Sequence, residues 1–307
     1  MFDRLIHADW SVDGRKRWMT SAKRKNNNWQ IGGPIMVGST RKFLDDICAM
    51  GKNEKVLIGF DFPLGLPNAY GIQTGLQGFK EILSSCEAGE WRQFTTVADT
   101  PDEVSLCRPF YPRVPRKGVK RKTLIDRLGV QTFDELLRIC ERPTKRRQAA
   151  CSVFWTLGGN QVGKAAITGW LEIIRPAMTT GARIWPFDGP LSELCRCAGV
   201  IFAETYPAEA VHVVQASFLR GESKRRSPDR KAKAQSILTW IEFRRLKISE
   251  EARSAVRDGF GSDSSGEDQF DSFVGLLKMI EVCDGRLPEM SFPRANMGSW
   301  EGWILGL

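Results

Sequence analysis

The sequence predicts an α/β fold: a mixed sheet flanked by helices, with a large insert after its fourth strand. Three observations carry that expectation. Short segments with strand-like patterning, separated by Asn- and Gly-rich turns, open the chain between residues 4 and 37. Two later segments, KVLIGFDF (55–62) and GVIFAETYP (199–207), are almost unbroken apolar runs, as strands buried on both faces are. Between them, residues 66–195 leave the pattern and are rich in turns.

The elements follow in order. RLIHADWSV (4–12) reads as the first strand and stops at the turn residues Asp13 and Gly14. KRWMTSAKR (16–24) and NWQIGGPIMV (28–37) read as two further strands, completing a meander. STRKFLDDICAMG (39–51) reads as a helix, with Ser39 or Thr40 as its cap and Gly51 as its stop. KVLIGFDF is the fourth strand. In the insert, TFDELLRICE (132–141) and QVGKAAITGWLEII (161–174) have helical patterning. GVIFAETYP is the last strand. Three helices follow it: PDRKAKAQSILTWIEFRRL (228–246), SEEARSAVRDG (249–259) and GEDQFDSFVGLLKMIEV (266–282). Together these describe one domain over 1–307, with a core of 1–65 and 196–285. The insert at 66–195 is expected to cover the active edge, and the tail at 286–307 to pack back through Trp300, Trp303 and Ile304. Three strands, helix, strand, long insert, strand, helices is the element order of a ribonuclease H-like fold.

Composition narrows the function classes. The 307 residues are 42% hydrophobic and 26% charged, as in ordinary globular proteins. No apolar run reaches the roughly 18–20 residues a membrane span needs. Asp3 and Arg4 fall where a signal peptide would place its apolar core. The eight cysteines form no CxxC pair and only two histidines, His7 and His212, accompany them, which argues against zinc. A reducing cytoplasm is the expected compartment. The net charge of +9 gathers in RVPRKGVKRK (113–122), RPTKRR (142–147) and RGESKRRSPDRKAK (220–233). Such runs suit a phosphate-rich partner, DNA or RNA, although solvated loops and helix faces carry such runs too.

The acids stand where chemistry would want them. Asp9 lies late in the first strand, Asp61 ends the fourth, and Glu204 ends the last. Asp268 and Asp271 lie three apart on the final helix and so share a side. Gly275, on that side, would let the helix come close to the strand ends. Parallel strands deliver their carboxyl ends to one edge, where clustered carboxylates repel and resist ionisation. Mg2+ or Mn2+ relieves this, because both prefer carboxylate and water oxygens. Two such ions roughly 3.5–4 Å apart can activate water and support in-line attack on a phosphodiester. Four of these acids also have a structural alternative, whereas Asp271, inside the helix beside an apolar stripe, is harder to explain as a cap. Asp9 could accept N–H bonds from the following turn, Asp61 could cap the PLGLP turn, and Glu204 could hold the turn at Tyr206-Pro207 or pair with an arginine. Asp268 could be the acid of a capping box opened by Ser265, with Glu267 as its substitute in the site.

HADWS, IGFDFPLGLP, AETYPAEA and EDQFDSFVGLLKMI resemble, in order, the blocks of the DUF429 family, whose members are expected to be ribonuclease H-like nucleases. The most specific block runs from Asp61 to Pro67, and Glu204 to Pro207 is the second. Two positions depart from the family pattern: Ala8 stands before Asp9 where glycine is common, and Ser272 follows Asp271 where alanine is common. The resemblance spans about 1–67 and 199–285, with RPFYPR and FWTLGGNQVGKAAITGW added from the insert.

GGNQVGKA (158–165) satisfies the spacing of a phosphate-binding loop, yet Ala165 stands where the hydroxyl that binds Mg2+ should be. Gln161 and Lys164, at a helix start, could instead hold a substrate phosphate together with Arg108, Tyr111 and Arg113. The bland reading makes Gly158-Gly159 a turn and Lys164 a solvated residue. Trp155, Trp170 and Trp185 fit the core better than a base-stacking platform.

The reading that follows is a metal-dependent nuclease or phosphodiesterase, with Asp9, Asp61, Glu204, Asp271 and Asp268 holding Mg2+ or Mn2+. An actin-like ATPase or kinase-type enzyme is the first alternative. Gly14 would serve its phosphate turn, but no second copy of that turn follows. A non-catalytic nucleic-acid-binding module, with structural acids, is the second.

Overall fold

A computed structural model of the chain describes every residue except 116–118, 144–147, 158–161 and 294–296. The described residues form two compact units. The first comprises Met1–Asp61, Ala177–Ser291 and Ile304–Leu307; the second comprises Phe62–Pro176 and Phe292–Trp303. The C-terminal tail is therefore divided: Phe292–Trp303 belongs to the second unit and only Ile304–Leu307 to the first.

The first unit is α/β, built on a mixed sheet flanked by helices. Among the described residues its eight strands are β1 (Arg4–Asp9), β2 (Trp18–Lys25), β3 (Asn28–Ile31), β4 (Ile35–Met36), β5 (Lys55–Phe60), β6 (Arg183–Ile184), β7 (Gly199–Glu204) and β8 (Lys247–Ile248). Their order in space is β6-β7-β5-β1-β2-β3-β8, with β4 beside β2. β2 runs antiparallel to β1, β3 and β4, whereas β1, β5, β7 and β6 are mutually parallel. The β2–β3 hairpin turns on Asn26 and Asn27, both at positive φ (51° and 59°). Asparagine tolerates that region better than most residues, and two consecutive positive φ values suit a tight hairpin.

β5 lies between β1 and β7, with Val56, Leu57, Ile58 and Phe60 fully buried. Its apolar run is a consequence of burial on both faces. The first helix, α1 (Thr40–Gly51), packs on β5 and β7. Ser39 caps it, its hydroxyl accepting the Lys42 N–H at 3.3 Å. Ser39→Ala is expected to cost about 1 kcal/mol, read as a lower midpoint in urea denaturation. The terminal helix, Gly266–Cys283, packs on β1, β2 and β5.

Several predicted elements are interrupted. The third strand of the meander is two strands, β3 and β4, because Gly32-Gly33-Pro34 breaks it; proline gives the ladder no N–H donor. The helix expected over 228–246 is two helices, Ser227–Ala232 and Ala234–Phe243, meeting at Lys233. TFDELLRICE is not a helix but two single 3-10 turns, Phe133–Leu136 and Ile139–Glu141. The cause is tertiary. Arg138 is fully buried in the second unit, pairing with Glu141 at 2.8 Å and donating to the Glu301 carbonyl at 3.4 Å. The Glu301 carboxylate in turn accepts N–H bonds from Asn68 (2.8 Å) and Ile139 (2.7 Å). A buried arginine needs such partners, and satisfying them outweighs the local helical preference. QVGKAAITGWLEII is helical over Val162–Gly169 and continues through a π turn at Trp170–Ile174.

The second unit gathers Phe79, Phe94 and Phe110 around Trp170, whose indole N–H donates to the Pro63 carbonyl at 2.8 Å. Trp170 and Trp185 are fully buried; Trp155 is half-buried against Tyr111. Among the described residues no helix is long and apolar enough to cross a membrane. The eight cysteines are free thiols.

Candidate active site

Strand register builds the site. Ala8 of β1, Phe60 of β5 and Glu204 of β7 lie in one row across the parallel strands. Side chains alternate along a strand, so these three share one face and their successors the other. The Phe60 ring packs against Trp10, which neighbours Phe43 of α1, so this row belongs to the α1 face. His7, Asp9, Asp61 and Thr205 belong to the face of the terminal helix. His7 confirms the assignment: its Nε2 meets Thr205 Oγ1 at 2.7 Å, and its ring lies directly under Gly275. Asp271 lies four residues before Gly275, one turn along the same side of the helix. Asp268 lies three further back.

Asp9, Asp61, Asp271 and Asp268 are therefore brought together. Asp9 is buried, at 8% exposure, and Asp271 at 6%. Burial pushes the Asp9 carboxyl well up, and the charges of Asp61, Asp271 and Asp268 push it further. It shares a hydrogen bond with Asp61. Burial raises Asp61 to about 6, against the Trp10 N–H (2.7 Å from Oδ1) and the Asp9 hydrogen bond, both of which favour its charged form. Burial, then the charges of Glu267 and Asp271, lift Asp268 to about 6. Burial also raises Asp271, although the Lys224 ammonium opposes it.

Lys224 is the residue that sequence reasoning missed here. Its ammonium donates to Asp271 Oδ2 and stands 3.4 Å from Glu267 Oε1. Burial works against this charge, but Asp271 outweighs it and the lysine is held firmly protonated. In the sequence it is one cation in the basic run 220–233, 47 residues from Asp271, with no spacing signal joining the two. Two buried carboxylate oxygens, Asp271 Oδ1 and Asp268 Oδ2, have no hydrogen-bond partner among the described residues.

The structural alternatives fare differently. The capping box that would have employed Asp268 does not form: the Ser265 hydroxyl donates to Asp263 at 2.7 Å and accepts from Gln269 at 2.9 Å. Asp61 accepts the Trp10 N–H at 2.7 Å. Glu204 is not brought to the cluster. Its register with Phe60 places it on the α1 face, buried, where β7 meets Ile304.

The proposed phosphate-holding residues belong to the second unit. Arg108 pairs with Glu103 at 3.1 Å and donates to the Val97 carbonyl. Tyr111 is buried. Arg113 pairs with Asp99 at 3.1 Å, and Lys164 donates to the Arg113 carbonyl at 2.9 Å. These contacts tie a loop together. Gln161 lies outside the described residues, as does the Gly158-Gly159 turn.

The donors are carboxylate oxygens, the kind a hard divalent cation prefers. Four carboxylates converge, two of their oxygens are buried without partners among the described residues, and the Lys224 ammonium stands at Asp271. Among the described residues no three His, Cys, Asp or Glu side chains stand in a ready-made metal-binding group. In this arrangement the charge of Lys224 offsets part of the cluster's charge.

No protein family, curated protein or solved structure matches the chain.

Proposed function

We propose that the chain is a ribonuclease H-like, divalent-metal-dependent nuclease or phosphodiesterase, of the kind the DUF429 resemblance implies. The observation that carries this reading is the convergence of Asp9, Asp61, Asp268 and Asp271 from two parallel strand ends and one helix, with Asp271 Oδ1 buried and without a partner among the described residues. The order of meander, helix, parallel strand, insert and parallel strand supports the fold part of this reading. Asp9, Asp61, Asp271 and Asp268 would hold Mg2+ or Mn2+; Glu204, on the opposite face, is left out of the set. Bound there, the metal would supply water activation and stabilisation of a leaving phosphate oxygen. The Trp10 N–H fixes the Asp61 carboxylate, and His7 and Gly275 set the depth of the helix that carries Asp271. A polyanionic substrate suits the cations around the cluster: Lys16, whose charge reaches Asp268, and Lys224 and Arg225 at Glu267.

The test is a cleavage panel of DNA, RNA and hybrid substrates with Mg2+ or Mn2+, comparing wild type with Asp61→Asn. Turnover by the wild type is expected to fall at least about a hundredfold in the folded variant, more than the loss of one good hydrogen bond of about 1 kcal/mol would give. Equal turnover in the two proteins would rule the site out.

The Lys224–Asp271 pair favours one second reading, a non-catalytic polyanion-binding module whose acids are structural. Steeply salt-dependent binding, unchanged in Asp61→Asn and without cleavage, would select it.

A further inference from the structure

Lys224 lies in the loop between the helices Pro207–Val213 and Ser227–Ala232, and that loop is built to place it. Arg230, 1% exposed, donates to the Lys224 carbonyl at 2.6 Å, and also to the carbonyls of Gly259 (2.7 Å) and Gly261 (2.8 Å). Asp229 accepts the Ser223 N–H at 2.8 Å, and Lys233 pairs with Glu222 at 2.6 Å. Phe218 packs edge-on to Phe270 of the terminal helix, with ring centroids 5.6 Å apart. The backbone on both sides of Lys224 is thus pinned.

Its side chain pairs with Asp271 and stands 3.4 Å from Glu267. It remains 38% exposed on a four-carbon stem with rotatable bonds. The ammonium engages Asp271 Oδ2, while Asp271 Oδ1 is buried. One oxygen of the carboxylate is engaged by the ammonium, and the other has no hydrogen-bond partner among the described residues. A fixed backbone that carries a charge on a rotatable stem can serve as an exchangeable counterion. Within a few ångströms of a dication an ammonium is repelled, more strongly in a partly buried site than in water. Lys224 would then turn outward, with its loop still in place.

We propose that Lys224 is a resident counter-cation: it neutralises the carboxylate cluster in the metal-free protein, gives up Asp271 when a divalent ion is bound, and then engages a phosphate of the substrate. This rests on the metal-dependent reading above and extends it to a specific residue.

The experiment compares wild type, Lys224→Met and Lys224→Arg. Mn2+ affinity is measured by electron paramagnetic resonance. Affinity for a fluorescent, non-hydrolysable phosphorothioate oligonucleotide is measured by anisotropy in Mn2+. Melting curves in EDTA show that each variant folds. Lys224→Met is expected to bind Mn2+ about tenfold more tightly than wild type, since no ammonium competes, and the oligonucleotide about tenfold more weakly. Lys224→Arg, which keeps the charge, should stay near wild type in both. Equal or weaker Mn2+ binding by Lys224→Met would overturn the exchange while leaving the metal site standing. Unchanged oligonucleotide affinity would overturn the transfer to phosphate. Should the wild type and both variants all fail to bind Mn2+, the metal-dependent reading falls and this inference falls with it.

Discussion

Asp9→Asn is expected to melt several degrees above the wild-type protein at pH 8 in EDTA, and to lose the stabilisation that Mg2+ or Mn2+ gives the wild type. The reason is the sign of the pKa displacements. Burial, then the neighbouring carboxylates, raises the Asp9 carboxyl, and burial raises Asp61 to about 6. The unfolded chain releases these protons near pH 4. A native state that holds protons more tightly than the unfolded chain has its full advantage below pH 4 and loses it as pH climbs through about 6 and beyond. Each pKa unit corresponds to about 1.4 kcal/mol, and a domain-sized chain shifts roughly 2–4 °C per kcal/mol. Asparagine keeps a donor toward Asp61 and cannot ionise, so it imitates the protonated Asp9. The gap between variant and wild type should therefore be small at pH 4 and widen above pH 6. It is the gap that matters, because acids lowered by their partners, such as Glu54 beside Arg4, tilt both curves the other way. In wild type, a cation at a hundredfold excess over its Kd would add about 2.7 kcal/mol. A variant that melted below wild type at every pH without metal would show that the carboxylates are not a self-repelling cluster.

Gly275→Val is expected to destabilise the protein by about 3 kcal/mol or more, at the upper end of what overpacking costs. A Cβ at Gly275 would enter the His7 ring. The ring has little room to yield: His7 is fully buried, and its Nε2 is hydrogen-bonded to Thr205. Gly59 makes the same demand from the strand side, since a Cβ there would stand 2.6 Å from Met279 Sδ on the terminal helix. His7 is kept neutral by its burial, which lowers it to about 3, so the close approach adds no charge beneath Asp9. Lifting the helix would also lift Asp271, one turn away, and metal affinity should fall with stability. The milder Gly275→Ala, paired with His7→Ala, supplies the check. The double variant should recover part of the Gly275→Ala loss, giving a favourable coupling of about 1 kcal/mol or more in urea denaturation. Strict additivity would show that the ring is not what the helix rests on.

Much of the site was legible in the sequence, for a specific reason. Asp9 and Asp61 stand out because an ionisable residue at the end of a buried apolar strand has few neutral explanations. Asp268 and Asp271 stand out through their three-residue spacing on a patterned helix. Glu204 has the same local appearance as Asp61, yet its register with Phe60 turns it to the α1 face. One residue of offset along a strand reverses the face, and no property of GVIFAETYP alone fixes that offset relative to KVLIGFDF. Lys224 is the converse. Nothing in SKRRSPDRK marks one cation among several, and only the carbonyls gathered by Arg230 single it out.

By itself, the sequence determined the α/β order of elements, the central position of β5, the Asn26-Asn27 hairpin and the four aspartates on strand ends and helix. These follow from hydrophobic periodicity, turn chemistry and short-range spacing, which are local. The tertiary structure alone decided that Glu204 faces away, that TFDELLRICE gives up its helix to satisfy Arg138, and that Lys224 sits on Asp271. Each of these depends on which distant groups share a buried volume, where an unpaired charge costs more than any local preference can return.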